Sequence, residues 1–181
     1  MRLIGFTGIM GSGKSTAIKL LEEMVDAPVV NVKFAQPLYD MQEYVYDRIK
    51  SVYTRPETFI KDRKLLQWLG TDWGRNTISE TVWVDLWAAT VKEHLATTPN
   101  ALIVCDDVRF DNEATAVKAL GGHVVQLEVH ASRAEVKNGL TNHASENGVD
   151  TNLLSVMIDN TGSIDDLKAS LQTLNKTLGI W

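Results

Sequence analysis

Gly8-Ile9-Met10-Gly11-Ser12-Gly13-Lys14-Ser15 satisfies the pattern G-x-x-x-x-G-K-[ST] at every position. The residues before it, Arg2 to Phe6, read as a short buried strand, and those after it, Ser15 to Met24, have helical apolar spacing through Ala17, Ile18, Leu21 and Met24. Strand, glycine-rich loop and helix form the context in which this pattern cradles phosphates. Its glycines let backbone N–H groups turn inward without side-chain clash, and the helix that starts there adds its positive end to the anion nest. Lys14 is then expected at the β- and γ-phosphates of ATP and the Ser15 hydroxyl on Mg²⁺. Gly8, Gly11, Ser12, Gly13, Lys14, Ser15 and Thr16 are the expected nucleotide-binding set. The loop alone serves kinases, GTPases and motor ATPases alike. No Asn/Thr-Lys-x-Asp segment that would read guanine follows a strand, and 181 residues suit a small-molecule kinase better than a larger ATPase.

Working outward, Val29 to Phe34 reads as a second strand, and Pro37 with Leu38, Met41, Val45 and Ile49 as a helix that holds its proline in the first turn. Two more helices are predicted, from Asp62 to Trp73 and from Ser79 to Leu95, the second opened by a Thr77-x-x-Glu80 capping box. Ala101 to Cys105 is a continuous apolar run, the mark of a strand covered on both faces. Asp111 to Leu120 returns to helix, Gly121 and Gly122 end it, and Val124 to Val129 is a strand. Val156 to Ile158 is the last strand, followed by a helix from Ser163, its cap, to Leu178, with Gly179 beyond the end. This alternation predicts an α/β fold: a three-layer parallel sheet with helices on both faces and right-handed crossovers. Residues 1–181 are expected to form a single domain, with a helical acceptor-binding region over about 36–97 and a short lid over about 130–151.

Hydrophobic residues make up 44% and charged residues 23% of the chain, the balance of an ordinary globular domain. A net charge of -5 argues against a nucleic-acid polymer as partner, since such binding needs a basic surface that displaces counterions. An anionic substrate must therefore be held by a few local cations. Cys105 stands alone, which excludes an internal disulfide and fits a reducing compartment. Apolar runs are too short to span a bilayer, and Met1 leads directly into a strand, so no leader or membrane partner is expected and the cytoplasm is the natural location. A homodimer is left open.

Beyond the apolar run, Asp106-Asp107-Val108-Arg109 puts two carboxylates and a guanidinium at the C-terminal end of a buried strand, where ligands of open α/β sheets gather. Asp106 or Asp107 is expected to serve Mg²⁺, and Arg109 to clamp a phosphate through paired hydrogen bonds. The run Asp107-Val108-Arg109-Phe110-Asp111-Asn112-Glu113-Ala114 resembles the D-x-R-F-x-N-E-A segment of bacteriophage-type deoxynucleoside monophosphate kinases. Arg63 to Arg75 and the turn Ile158-Asp159-Asn160-Thr161-Gly162-Ser163 resemble the same family, so the similarity spans nearly the whole chain. It implies a P-loop nucleoside monophosphate kinase fold, ATP with Mg²⁺ as donor, and a deoxynucleoside monophosphate (dNMP) as the small-molecule acceptor.

The resemblance suggests Arg63 or Arg75 for the acceptor phosphate and Gln67 for its base or a structural hydrogen bond. Arg63 and Gln67 lie four apart on one helix face, and Gly70 and Gly74 permit a turn that returns Arg75 toward them. Trp83 and Trp87, also four apart, are expected in the core, and Phe34 either in the core or stacked on a base. Between two strands, the polar segment His130 to Thr151 carries Arg133, Lys137 and His143, and Arg133 is the expected lid cation. The expected catalytic set is therefore Lys14, Asp107, Arg109 and Arg133. Two other readings remain: Gly5-Phe6-Thr7-Gly8 also resembles dephospho-coenzyme A kinase, and a regulatory ATP-binding module would keep the loop without transferring phosphate.

Overall fold

A computed structural model describes residues 2–53, 61–129 and 148–181. Five strands, β1 (Leu3–Thr7), β2 (Val29–Asn31), β3 (Leu102–Cys105), β4 (His123–Glu128) and β5 (Val156–Asp159), form one sheet in the order β2-β3-β1-β4-β5. All four pairings are parallel. Six α-helices are described: α1 (Lys14–Met24), α2 (Gln36–Ile49), α3 (Arg63–Gln67), α4 (Val82–Thr97), α5 (Asp111–Ala119) and α6 (Ile164–Leu178).

The apolar runs of β1 and β3 are buried on both faces because successive side chains point to opposite sides. Ile4, Phe6, Leu102 and Val104 meet Ala17, Leu21, Leu167 and Leu171 of α1 and α6 on one face. Leu3, Ile103 and Cys105 meet Trp87, Val91, Ala114 and Val117 of α4 and α5 on the other. These are the three layers expected from the alternation of elements. The closing helix is capped as read: the Ser163 hydroxyl accepts from the Asp166 N–H at 3.2 Å, and Gly179 takes φ 63. Trp83 and Trp87 are each 2% exposed, and Phe34 stacks on Trp87 with centroids 4.3 Å apart, so Phe34 belongs to the core and not to a base platform.

The helical region departs from the sequence reading. In place of one helix from Asp62 to Trp73, the five-residue α3 runs into a π-helix, Trp68–Ile78. The wider turn matches what the tryptophans require. The Gly70 carbonyl accepts a hydrogen bond from Trp83 Nε1 at 2.8 Å instead of serving only the helix ladder, and the Trp83 ring lies where any side chain on Gly74 would stand. The Thr77-x-x-Glu80 capping box does not form, because the Thr77 hydroxyl donates back to the Asp72 carbonyl at 2.8 Å. Instead α4 starts at Val82, after a turn in which the Thr81 hydroxyl reaches Asp85 at 2.8 Å. β2 is also shorter than expected, ending at Asn31 as the chain bends toward α2.

A methyl group at residue 74 would have to displace the Trp83 ring. Gly74→Ala should therefore destabilise the fold by about 1–3 kcal/mol, read as a lower urea midpoint. An unchanged midpoint would show the ring to be loosely held.

Candidate active site

The loop between β1 and α1 is built as a phosphate cradle. Gly8, Gly11 and Gly13 take φ 131, 81 and 95, the left-handed region in which a side chain is strained. Gly13 is constrained twice, because Asn160 Nδ2 occupies the space of a side chain there while donating to the Ser12 carbonyl at 2.9 Å. Asn160 directly follows β5 and thus braces the loop from two strands away. Lys14 Nζ is drawn to the loop itself, donating to the carbonyls of Gly8 at 2.7 Å and Ile9 at 2.8 Å and to the Ser12 hydroxyl at 3.2 Å. Burial, followed by the positive charge of Arg109, holds the Lys14 ammonium below the ordinary lysine pKa, while the carboxylates of Asp106 and Asp107 act in the opposite sense. Lys14, Arg109, Asp106 and Asp107 therefore share one electrostatic neighbourhood. Ser12 is wholly buried, whereas Ser15, in the first turn of α1, is exposed.

The two carboxylates after β3 have different surroundings. Asp107 Oδ1 accepts from the Phe34 N–H at 3.0 Å and Oδ2 from the Ala35 N–H at 2.9 Å. The Cys105 thiol donates to Oδ1 as well, at 3.1 Å. Asp107 thus fixes the chain that leads into α2. Asp106 points elsewhere: its Oδ1 is buried with no hydrogen-bond partner among the described residues, and the nearest cation, Lys33 Nζ, stands 3.5 Å away. That spacing is an ion pair without a hydrogen bond, so a buried anionic oxygen retains unused acceptor capacity. Hard oxygen donors of this kind suit Mg²⁺, which takes one or two protein ligands and shares the rest of its shell with phosphates and water. Among the described residues no group of three His, Cys, Asp or Glu side chains could hold a metal alone.

Arg109 is exposed, and its backbone N–H donates to Glu113 Oε2 at 2.8 Å. Glu113, 3% exposed, also accepts from the Phe110 N–H at 3.2 Å and takes Arg75 Nη2 on Oε1 at 2.9 Å. The Arg75 guanidinium lies 4.2 Å from the centroid of the Phe110 ring. Burial pushes the Glu113 carboxyl up to about 7; the Asp107 charge adds to the shift, and the hydrogen bonds and Arg75 only reduce it. Across the helical region Gln42, 1% exposed, accepts from the Asp62 N–H at 2.7 Å, and Asp62 caps α3 by accepting from the Leu65 N–H at 3.0 Å. α3 carries Arg63 and Gln67, both exposed.

This arrangement agrees with the comparisons to known proteins. The family described as Deoxynucleotide monophosphate kinase matches residues 15–171. The chain belongs to that family. A protein of Acanthamoeba polyphaga mimivirus assigned as a deoxynucleotide monophosphate kinase is 27% identical over 163 residues, 76% of this chain and 83% of the relative. The deoxynucleotide monophosphate kinase of Enterobacteria phage T4 is 29% identical over 133 residues, 74% of this chain and 53% of its own length. The chain thus spans 83% of the mimivirus relative and about half of the phage ones. Among solved structures, TT1252 from Thermus thermophilus superposes with TM-score 0.55 at 20% identity, covering 97% of both chains. Shikimate kinase from Bacteroides thetaiotaomicron superposes with TM-score 0.51 at 13% identity, covering 98% of both. These two likenesses concern the fold alone.

Within this kinase fold, most of the predicted residues converge. Gly8 to Thr16, Asp106, Asp107 and Arg109 lie at the C-terminal ends of the adjacent strands β1 and β3. Asp107, named as a metal candidate, has both oxygens engaged by the turn before α2, which leaves Asp106 with the free capacity. Arg75, named for the acceptor phosphate, is already paired with Glu113, whereas Arg63 keeps its guanidinium exposed. Arg133, Lys137 and His143 lie outside the described residues, as does most of the expected lid. Sequence reasoning assigned no role to Asn160, Glu113 or Lys33. Asn160 and Glu113 stand in stretches singled out by resemblance, but the contacts that define them join residues 148 and 38 positions apart.

Glu113 has a consequence for pH. Its folded value, about 7, lies above the ordinary 4.5, so the stability it contributes is full below 4.5 and is lost as pH rises through 7. Glu113→Gln lacks that dependence. Relative to the unaltered protein it should gain about 3 kcal/mol between about pH 4 and about pH 8, measured by urea unfolding at each pH. A flat difference would mean that Glu113 titrates as an ordinary carboxyl group.

Proposed function

We propose that the protein transfers the γ-phosphoryl group of ATP to the phosphate of a dNMP, giving ADP and the deoxynucleoside diphosphate in a Mg²⁺-dependent reaction. One observation carries this reading: a braced phosphate loop with Lys14 at its mouth shares its electrostatic neighbourhood with Arg109 and with Asp106, whose buried Oδ1 has an ion pair to Lys33 but no hydrogen bond among the described residues. Family membership and the names of the mimivirus and phage relatives support deoxynucleotides as the acceptor class.

Phosphoryl transfer asks little covalent help of the protein, so catalysis consists of positioning and charge stabilisation. Backbone N–H groups over Gly8 to Thr16 and the start of α1 hold the donor phosphates. The Lys14 ammonium, already partly desolvated, exchanges loop carbonyls for phosphate oxygens. Ser15 and Asp106 would hold Mg²⁺, which when bound screens the phosphate charge. Arg109 brings up the acceptor phosphate from the β3 side, and Arg63 with Gln67 meets the acceptor from α3. The acceptor phosphate is itself an anionic nucleophile, so no strong base is required. Arg133, outside the described residues, is kept as the candidate lid cation, and exclusion of water from the site favours transfer over ATP hydrolysis. Lys14 and Arg109 accommodate small anions in an otherwise acidic chain, and a cytoplasmic location, in the host if the protein is phage-encoded, fits both substrates. No described helix is long and apolar enough to cross a membrane.

The direct test is ADP release from ATP and Mg²⁺ with dAMP, dGMP, dCMP, dTMP, their ribonucleotide counterparts and dephospho-coenzyme A offered separately. Turnover is expected with at least one dNMP, and Lys14→Ala should lower kcat on the order of 10²-fold. Reaction with dephospho-coenzyme A alone would overturn the acceptor assignment. The two aspartates should separate cleanly. Asp106→Asn is expected to lose about 10²-fold in turnover and to need more Mg²⁺ at an unchanged melting temperature, while Asp107→Asn should chiefly lower the melting temperature. The opposite pattern would exchange their roles.

A further inference from the structure

The contacts of Glu113 go beyond those of a helix cap. α6 supplies a comparison within the same molecule: Asp166, at the third position of its helix, uses Oδ2 alone to accept from the N–H and hydroxyl of Ser163, and it is exposed. Glu113 stands at the same position of α5 but is buried and uses both oxygens. One takes the N–H groups of Arg109 and Phe110, and the other reaches out of its own element to Arg75, 38 residues away on the π-helix. Phe110 closes the assembly by carrying the Arg75 guanidinium on its ring. Capping alone would need neither the burial nor the second oxygen.

We propose that Glu113 is a positioning residue that ties Arg75 of the helical region to the backbone carrying Arg109, so that the acceptor side and the phosphate-loop side are set relative to each other. The identity of the acceptor rests on the kinase reading above; the tie itself rests on geometry. Arg75 then acts as a strut whose charge is met by Glu113, and Arg109 is the cation left facing the phosphates. Burial supports this division, since a carboxylate kept out of water without a tie to make would be a net liability. The charged and titratable groups that bear on Glu113 are Arg75 from the π-helix, Asp107 and the Arg109 segment from the turn after β3, and Cys105 from β3.

The test is a double-mutant cycle of Glu113→Gln and Arg75→Met in the full chain. The Gln carboxamide oxygen can still accept from the Arg109 and Phe110 N–H groups, but its NH₂ meets the Arg75 donors; Met keeps an apolar stem on Phe110. Each single variant should raise the acceptor KM about tenfold while the ATP KM stays within about twofold, and the double variant should be no worse than the poorer single. Multiplying effects, or a lowered melting temperature with unaltered acceptor KM, would overturn the proposal. So would a large effect of Arg75→Met with none of Glu113→Gln, since Arg75 would then touch the acceptor itself. Amide hydrogen exchange at Arg109 and Phe110 gives a reading independent of turnover: Arg75→Met should speed it about tenfold, and unchanged exchange refutes the tie. If the unaltered protein turns over no dNMP, the kinase reading fails, and amide exchange alone decides whether Glu113 makes the link.

Discussion

The site depends first on the parallel pairing of β1 with β3, in which Gly5 stands opposite Cys105. Both strands end at the same edge of the sheet, so the phosphate loop after β1 and the acidic turn after β3 emerge side by side. The strands are far apart in sequence, and the helical region lies between them. That region is the crossover from β2 to β3, and strand ends reached in this way are where ligands of open α/β sheets gather. β4 and β5 complete the support: β4 pairs with the other side of β1, and the end of β5 delivers Asn160 against Ser12 and Gly13.

Three of the four carboxylates from Asp106 to Glu113 divide the work by surroundings, not by type. Asp107 is consumed by two backbone N–H groups and a thiol, which makes it a bracket for the start of α2. Asp106 keeps a buried oxygen with Lys33 beside it and no hydrogen bond among the described residues, so acceptor capacity is left for a cation. Glu113 joins two segments and bears a burial penalty that Arg75 does not cancel. Electrostatics of this kind are local. The chain is acidic as a whole, with a net charge of -5, yet Lys14, Lys33 and Arg109 are gathered at one sheet edge, so attraction for phosphates does not require a basic surface.

Legibility in the sequence follows from how local each cause is. The strand, loop and helix around Gly8 could be read directly, because left-handed glycines and apolar spacing act within a few residues of each other. The buried strand from Leu102 to Cys105 and the capped helix after Ser163 were equally readable. The π-helix was not, since its geometry is set by Trp83, thirteen residues beyond Gly70, whose indole takes the glycine carbonyl. Nor could neighbouring letters divide Asp106 from Asp107. That choice is made by Phe34 and Ala35, more than seventy residues upstream, which present their N–H groups to only one of the two.

The two halves of the proposed site are held by different means, and phosphoryl transfer gives this a physical sense. On the donor side the loop is fixed redundantly by glycine backbone geometry, buried Ser12, the Asn160 brace and three Lys14 contacts. A preorganised cradle has no reorganisation to undergo as charge moves in the transition state. The helical region proposed to take the acceptor is joined side chain to chain, through Gln42 and Tyr46 to Asp62, Lys61 to Tyr39 and Arg75 to Glu113, with Arg63 and Gln67 exposed on a five-residue helix. A surface of that kind can admit a nucleotide and then settle around it, which an acceptor pocket must do before water is excluded. On the proposed reading, the rigid loop fixes the direction of transfer, and the helical region decides which molecule is brought into line with it. The link proposed for Glu113 would keep the two in register, because a displacement of about 1 Å at the acceptor can cost about 10²-fold in rate.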